Sequence, residues 1–189
     1  VPYVTLDDGK VLGDSNLIIE ELKKRYGDPL DEKLTDRQKA MALALQSLIE
    51  DKLYFAAAYL RWAETDSWNH VREVLLKFMP PVIGGMILKK IRKGFLKDLG
   101  THGIADFSRE EIVKLSTDSL TALSVLLGDQ DFFLGSEPSS VDAAMYGFLI
   151  QQIWIPWDSP VKQHALGLKN LVSFCERMKA RYWEPSSKI

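Results

Sequence analysis

Residues 1–27 read VPYVTLDDGKVLGDSNLIIEELKKRYG, and the way this stretch uses its apolar residues decides the fold. Residues 1–6 are β-branched and aromatic, Asp7-Asp8-Gly9-Lys10 holds an Asp-Gly turn signal, and Val11-Leu12-Gly13 is a short return strand. Residues 16–26 then have helical character. Glu20 and Glu21 precede Lys23, Lys24 and Arg25, the order that suits the helix macrodipole, and Gly27 follows as a stop. Two strands and one helix are too little to cover a sheet face, and a lone hairpin is marginal in water. A parallel partner needs a crossover unit of about 30 residues or more, and none is legible downstream. The expectation is a fragment of α/β structure whose missing layer lies ahead of Val1 or on another chain.

From residue 35 the composition turns helical. Thr35-x-x-Gln38 is a capping box opening a long helix with Met41, Leu45, Leu48, Phe55, Tyr59 and Trp62 as its apolar stripe. SWNHVREVLLKFM (67–79) predicts a shorter helix stopped by Pro80-Pro81, and GGMILKKIRKGFLKDLG (84–100) another that enters through Gly84-Gly85. The run KKIRKGFLK is read as a solvated basic face. Ser108-x-x-Glu111 is a second capping box, with Ile112, Leu115, Leu123 and Leu126 as the stripe and Gly128 as the end. VDAAMYGFLIQQIWI (141–155) is apolar on nearly every side, which places it in a core. LKNLVSFCERMKARYW (168–183) closes the chain with Leu171, Phe174, Cys175 and Met178 inward.

Bulk composition narrows the function. The chain has 189 residues, 46% hydrophobic and 26% charged, which is ordinary for a globular protein with a real core. A net charge of −2 gives no reason to expect a nucleic-acid partner. One cysteine allows no internal disulfide and fits a reducing compartment. The longest apolar run, residues 78–88, falls well short of the ~20 residues that span a bilayer. These features predict a soluble, cytoplasmic protein with no transmembrane segment.

At its two ends the chain resembles the glutathione S-transferase superfamily. VPYVTLDDGKVLGDSNLIIEEL is similar to the second half of the family's thioredoxin-like amino-terminal domain: a Val-Pro beginning a strand, an Asp-Gly hairpin, and an acidic residue plus Ser heading the next helix. FFLGSEPSSVDAAMYGFL is similar to the family's carboxy-terminal motif, with Gly135 and then Ser139-x-x-Asp142 opening the central helix. The Trp68–Phe78 helix, the Pro-Pro and GIADFSREEI resemble the failed-axon-connections and metaxin branch, although that branch's basic, His-containing stretch reads GIADFS here. The resemblance implies α/β plus all-α architecture: residues 1–28 as the second half of a thioredoxin-like domain, 29–34 as a linker, and 35–189 as a helical domain.

It also implies a glutathione site. Val1 would precede a cis Pro2, and only an X-Pro bond takes that form cheaply. The Val1 backbone would then pair with the cysteinyl part of glutathione, and Asp14 and Ser15, at a helix N-terminus, would receive the γ-glutamyl end. Read from the residues alone, Asp14-Ser15 is equally an N-cap and nothing more. Ser139 and Asp142 are a structural cap, because a buried carboxylate must be satisfied by its own cap. The family's thiol-activating Tyr, Ser or Cys would lie upstream of Val1, so no catalytic residue is assigned. The ligand implied is glutathione with an apolar co-substrate, and a homodimer follows by analogy. The rival reading is a non-catalytic interaction module of the metaxin or failed-axon-connections kind.

Other tempting residues carry less. His70, His102 and His164 are scattered without ligand spacing, so no metal is expected. Cys175 lies on a core stripe. Tyr3 and Tyr54 are core or pocket candidates, and neither matches the family's thiol-activating position. Trp62, Trp68, Phe78 and Met79 are core by default, or the lining of an apolar second pocket.

Overall fold

The computed structural model describes residues 2–183. The chain forms two units, one of residues 1–39 and one beginning at Ala40.

In the first unit, strands β1 (Tyr3–Thr5) and β2 (Val11–Gly13) pair antiparallel, with Tyr3 opposite Gly13 and Thr5 opposite Val11. Gly9 sits at φ 82° in the turn, where Leu6 N–H donates to Lys10 O over 2.8 Å. Helix α1 (Ser15–Tyr26) follows directly and ends on Gly27 at φ 88°, as the sequence predicts. Val4 and Leu12, on one face of the hairpin, are half-buried. No residue of α1 is buried, and Leu17, Ile19 and Leu22 are exposed, so this unit's own elements leave its apolar side chains uncovered. The segment after α1 is tied back to it. The Lys23 ammonium pairs with Asp28 at 3.2 Å and with Asp31. Burial works against that ammonium, but its bonds to Asp31 and Asp28 outweigh the cost and raise its pKa.

The second unit is helical, and its first helix begins in the last residues of the first unit. Helix α2 (Asp36–Ser47) opens on the predicted capping box, with Thr35 N–H donating to Gln38 Oε1 over 2.9 Å. It does not run on as one α-helix. Residues Leu48–Leu53 form a π-helical segment before α3 (Tyr54–Ala63) resumes. The wider turn rotates the stripe. Ile49 and Leu53 are fully buried, and Leu48 and Phe55 are half-buried, Phe55 packing on the core around Ala56, Ala58 and Leu99. Helices α4 (Thr65–Leu76) and α5 (Gly84–Thr101) follow, and a 3-10 turn (Ile104–Asp106) leads to α6 (Arg109–Leu127). The Ser108–Glu111 box is present, with Ser108 N–H donating to Glu111 Oε2 over 2.7 Å. Its stripe runs through Ile112, Leu120, Leu123 and Leu127; Leu126 faces solvent instead of the core.

Helix α7 (Ser140–Ile153) is the central element, and Met145, Leu149 and Ile153 on it are buried. Helix α8 (Pro160–Gly167) was not expected from periodicity, though Ser159-Pro160 marks its start: Ser159 accepts from Lys162 N–H, and Pro stands at the first helical position. Helix α9 (Lys169–Tyr182) buries Leu171, Phe174, Cys175 and Met178, all as predicted. Asn170 caps the end of α6, its amide donating to Ser124 O over 2.8 Å and to Gly128 O over 3.1 Å.

Candidate functional site

The hairpin register sets the geometry of the first candidate site. With Tyr3 opposite Gly13, the next position outward along the ladder brings Pro2 to the same end as Asp14 and Ser15, where α1 begins. Asp14 is the only non-glycine at positive φ among the described residues, at φ 73° and ψ 129°. Such a backbone costs on the order of 1–3 kcal/mol and persists only where its surroundings demand it. Its carboxylate repays part of that cost: Oδ1 accepts from Asn16 N–H over 2.9 Å and from Leu17 N–H over 3.3 Å. Asp14 is therefore a true N-cap, which leaves Oδ2 without a role in the cap. Ser15 is the first helical residue and is exposed at the positive end of the α1 dipole. Pro2 is exposed beside the ladder. Val1, and with it the expected cis Val1–Pro2 bond, lies outside the described residues.

A second candidate lies within the helical unit. The end of α3, helix α4, the end of α7 and the segment after it border an open cavity of about 520 Å³. Trp62, Trp154, Trp157, Val71, Val74 and Leu75 supply its apolar lining, and Arg61, His70 and Gln151 its polar groups. The adjoining crevice of about 30 Å³ holds water at most.

The four residues read as core by default or as pocket lining divide between those roles, apart from Phe78. Trp62 lines the cavity, but Trp68 lies behind Trp62 with ring centroids 5.3 Å apart and only 8% of its surface exposed. Phe78 is 80% exposed and takes no part in the cavity. Met79 instead packs under Gly84, where an added Cβ would come within 2.7 Å of Met79 Cβ. The solvated basic face also needs one correction. Arg92 turns inward, its guanidinium 4.7 Å from the Trp68 ring centroid, and donates to Trp62 O over 2.7 Å and Ala63 O over 3.0 Å. It caps the C-terminus of α3, a role invisible in a run of lysines and arginines.

The three histidines have structural neighbours. His70 Nδ1 lies 3.0 Å from Asp66 O, His102 stacks on Phe55 at 4.1 Å, and His164 Nε2 is 2.8 Å from Thr121 Oγ1. No cluster of metal-ligating side chains occurs among the described residues. Cys175 is fully buried, and that burial pushes its thiol up to about 12, so it holds no thiolate at neutral pH. Asp142, 0% exposed, anchors the start of α7. Its Oδ2 accepts from Ser139 N–H over 2.8 Å and from Ser139 Oγ over 2.7 Å, while Oδ1 accepts from Phe133 N–H over 2.8 Å. Burial raises its pKa against the pull of those donors. Tyr3 is largely exposed, and Tyr54 packs edge-on against Phe55 and Phe148.

A strand hairpin leading into a capped helix, followed by a helical unit whose central helix starts on a buried Ser-x-x-Asp box, defines the transferase-type two-domain fold. The comparisons agree. Residues 1–68 match the model for the glutathione S-transferase N-terminal domain, and residues 117–178 that for the C-terminal domain. The isoprene-epoxide–glutathione S-transferase of Rhodococcus sp. (strain AD45) is 32% identical over 96% of this chain and 77% of its own. Metaxin-1 of Bos taurus is 29% identical over 97% of this chain, and failed axon connections of Drosophila melanogaster 30% over 95%. The chain spans 61% and 46% of those two proteins. Among solved structures, the beta-etherase LigF of Sphingobium sp. strain SYK-6 shares the fold, with a TM-score of 0.57 at 17% identity, covering 93% of this chain and 72% of that one. The chain belongs to the glutathione S-transferase family, in a branch shared with the metaxins and failed axon connections.

Proposed function

We propose that this protein binds glutathione at the hairpin–helix unit and conjugates it to an apolar electrophile. The observation that carries the reading is Asp14-Ser15: a carboxylate oxygen outside the cap and an exposed hydroxyl, side by side at a helix N-terminus, on the hairpin end that holds Pro2. The γ-glutamyl end of glutathione has one ammonium and one carboxylate. Asp14 takes the first, and the Ser15 hydroxyl with the helix dipole takes the second. The backbone before Pro2, at Val1, would pair with the cysteinyl segment. In the reaction the glutathione sulfur, as thiolate, forms a bond to an electrophilic carbon. With an epoxide, as in the name of the Rhodococcus relative, the C–O bond breaks and the alkoxide takes a proton. The cavity beside Trp62 gives an apolar co-substrate a place in the helical unit.

A second reading is supported by the similarity to metaxin-1 and failed axon connections, at nearly the same identity as the transferase. In it the fold serves as an interaction module without chemistry. Retention on glutathione-agarose separates the two. The parent is expected to bind and Ser15→Ala to bind more weakly. Equal retention removes Ser15 from the site, and a parent that passes straight through supports the module.

A further inference from the structure

We infer that the aromatic cavity of the helical unit is selective for monocarboxylates with a flat apolar body, the carboxylate pairing with Arg61. The inference rests on the reading above only in taking this cavity as a ligand site. Its volume of about 520 Å³ lies inside the range of roughly 300–1,000 Å³ that small-molecule sites occupy. Three indoles, of Trp62, Trp154 and Trp157, are part of its lining, an apolar surround suited to an aromatic body.

The charge is the decisive feature. Arg61 lines the cavity half-buried, and its partner is a neutral residue: Nη1 donates to Gln151 Oε1 over 2.8 Å and Nη2 to Gln151 O over 3.4 Å. No carboxylate pairs with it among the described residues, and burial lowers its pKa. The acid three positions on, Glu64, is held by Arg109 at 2.6 Å. Four other arginines pair with acids, Arg25 with Glu21, Arg109 with Glu64, Arg177 with Asp131 and Arg181 with Glu137, while Arg92 binds carbonyls and the Trp68 face. The residues lining the cavity include no acid. A guanidinium has five N–H donors in a planar fork that matches a carboxylate edge, and Gln151 occupies only part of it. His70 lines the same wall with Nδ1 turned to Asp66 O, and Arg61 is the one lysine or arginine in the lining. A single planar monoanion fits that arrangement better than a phosphate dianion.

The test is equilibrium dialysis of the whole chain, without glutathione, against 2-naphthoate and its neutral counterpart 2-naphthylmethanol. The parent is expected to bind the acid about ten-fold more tightly than the alcohol, the scale of one charged hydrogen-bonded pair. Arg61→Met should abolish that difference by weakening the acid alone, and Arg61→Lys should keep part of it. Val74→Trp, which fills the cavity from α4, should weaken both ligands. Equal affinities in the parent, or an Arg61→Met protein that keeps the acid preference, overturn the inference. Should Arg61→Met fail to fold, the parent ratio together with Val74→Trp decides: an acid preference unmoved by the filled cavity places the carboxylate elsewhere and overturns it. Because glutathione is absent throughout, failure of glutathione retention leaves this result standing, and the converse also holds.

Discussion

At Asp14, stability and binding pull in different directions. The residue holds a positive φ of 73° that glycine adopts without strain, yet its carboxylate caps α1 through Asn16 and Leu17 N–H. Glycine at an N-cap loses only a few tenths of a kcal/mol relative to the preferred residues. Asp14→Gly is therefore expected to leave the melting temperature unchanged or raised while glutathione retention falls. A large drop in melting temperature would show that the cap outweighs the strain, and undiminished retention would remove Asp14 from the site. Asp142 is the opposite case. Asp142→Ala strands the buried Phe133 and Ser139 N–H groups, and chemical denaturation should show a loss of about 2–4 kcal/mol. Both residues were legible as caps from the sequence, because Asp and Ser at a helix start have few other roles. The backbone strain at Asp14 was not legible, since no residue type announces it.

Among the elements, the entry to α5 explains the paired glycines. A Cβ on Gly84 would meet Met79 Cβ at 2.7 Å, whereas one on Gly85 finds only the Arg72 guanidinium tip at 3.9 Å. Gly84→Ala should destabilise by about 1–3 kcal/mol through overpacking. Gly85→Ala should stabilise by about 0.5–1 kcal/mol by gaining helix propensity. Thermal melts of the two variants, shifting in opposite directions, check the assignment. The stripes of α2–α3 and α6 were mostly readable from spacing, and α9 entirely so. The miss was Leu126, which is exposed while its neighbour Leu127 is buried.

For the whole molecule, buried groups of α7 and α9 contribute to the alkaline limb of stability. Cys175 is pushed up to about 12 and Tyr146 is also raised, both first by burial. A group raised in the folded state contributes fully below its unfolded pKa, about 8.5 for Cys, and that contribution is lost as pH rises toward the folded value. Denaturation midpoints should fall above about pH 8.5, and less steeply in Cys175→Ala. We propose the domain boundaries 1–28, 29–34 and 35–189, and limited trypsin digestion should cut first at Lys33. Cleavage first within α6 or α9 would contradict them. By itself the sequence determined the two-part architecture, the capping boxes, the core face of α9 and the family, because hydrogen-bonding turns and helical spacing are local properties written residue by residue. Only the tertiary structure decided that Arg92 caps α3, that Trp68 is buried behind Trp62, and that Arg61 stands among indoles without an acid. Those facts depend on side chains brought together from distant elements, and no spacing along one chain records them.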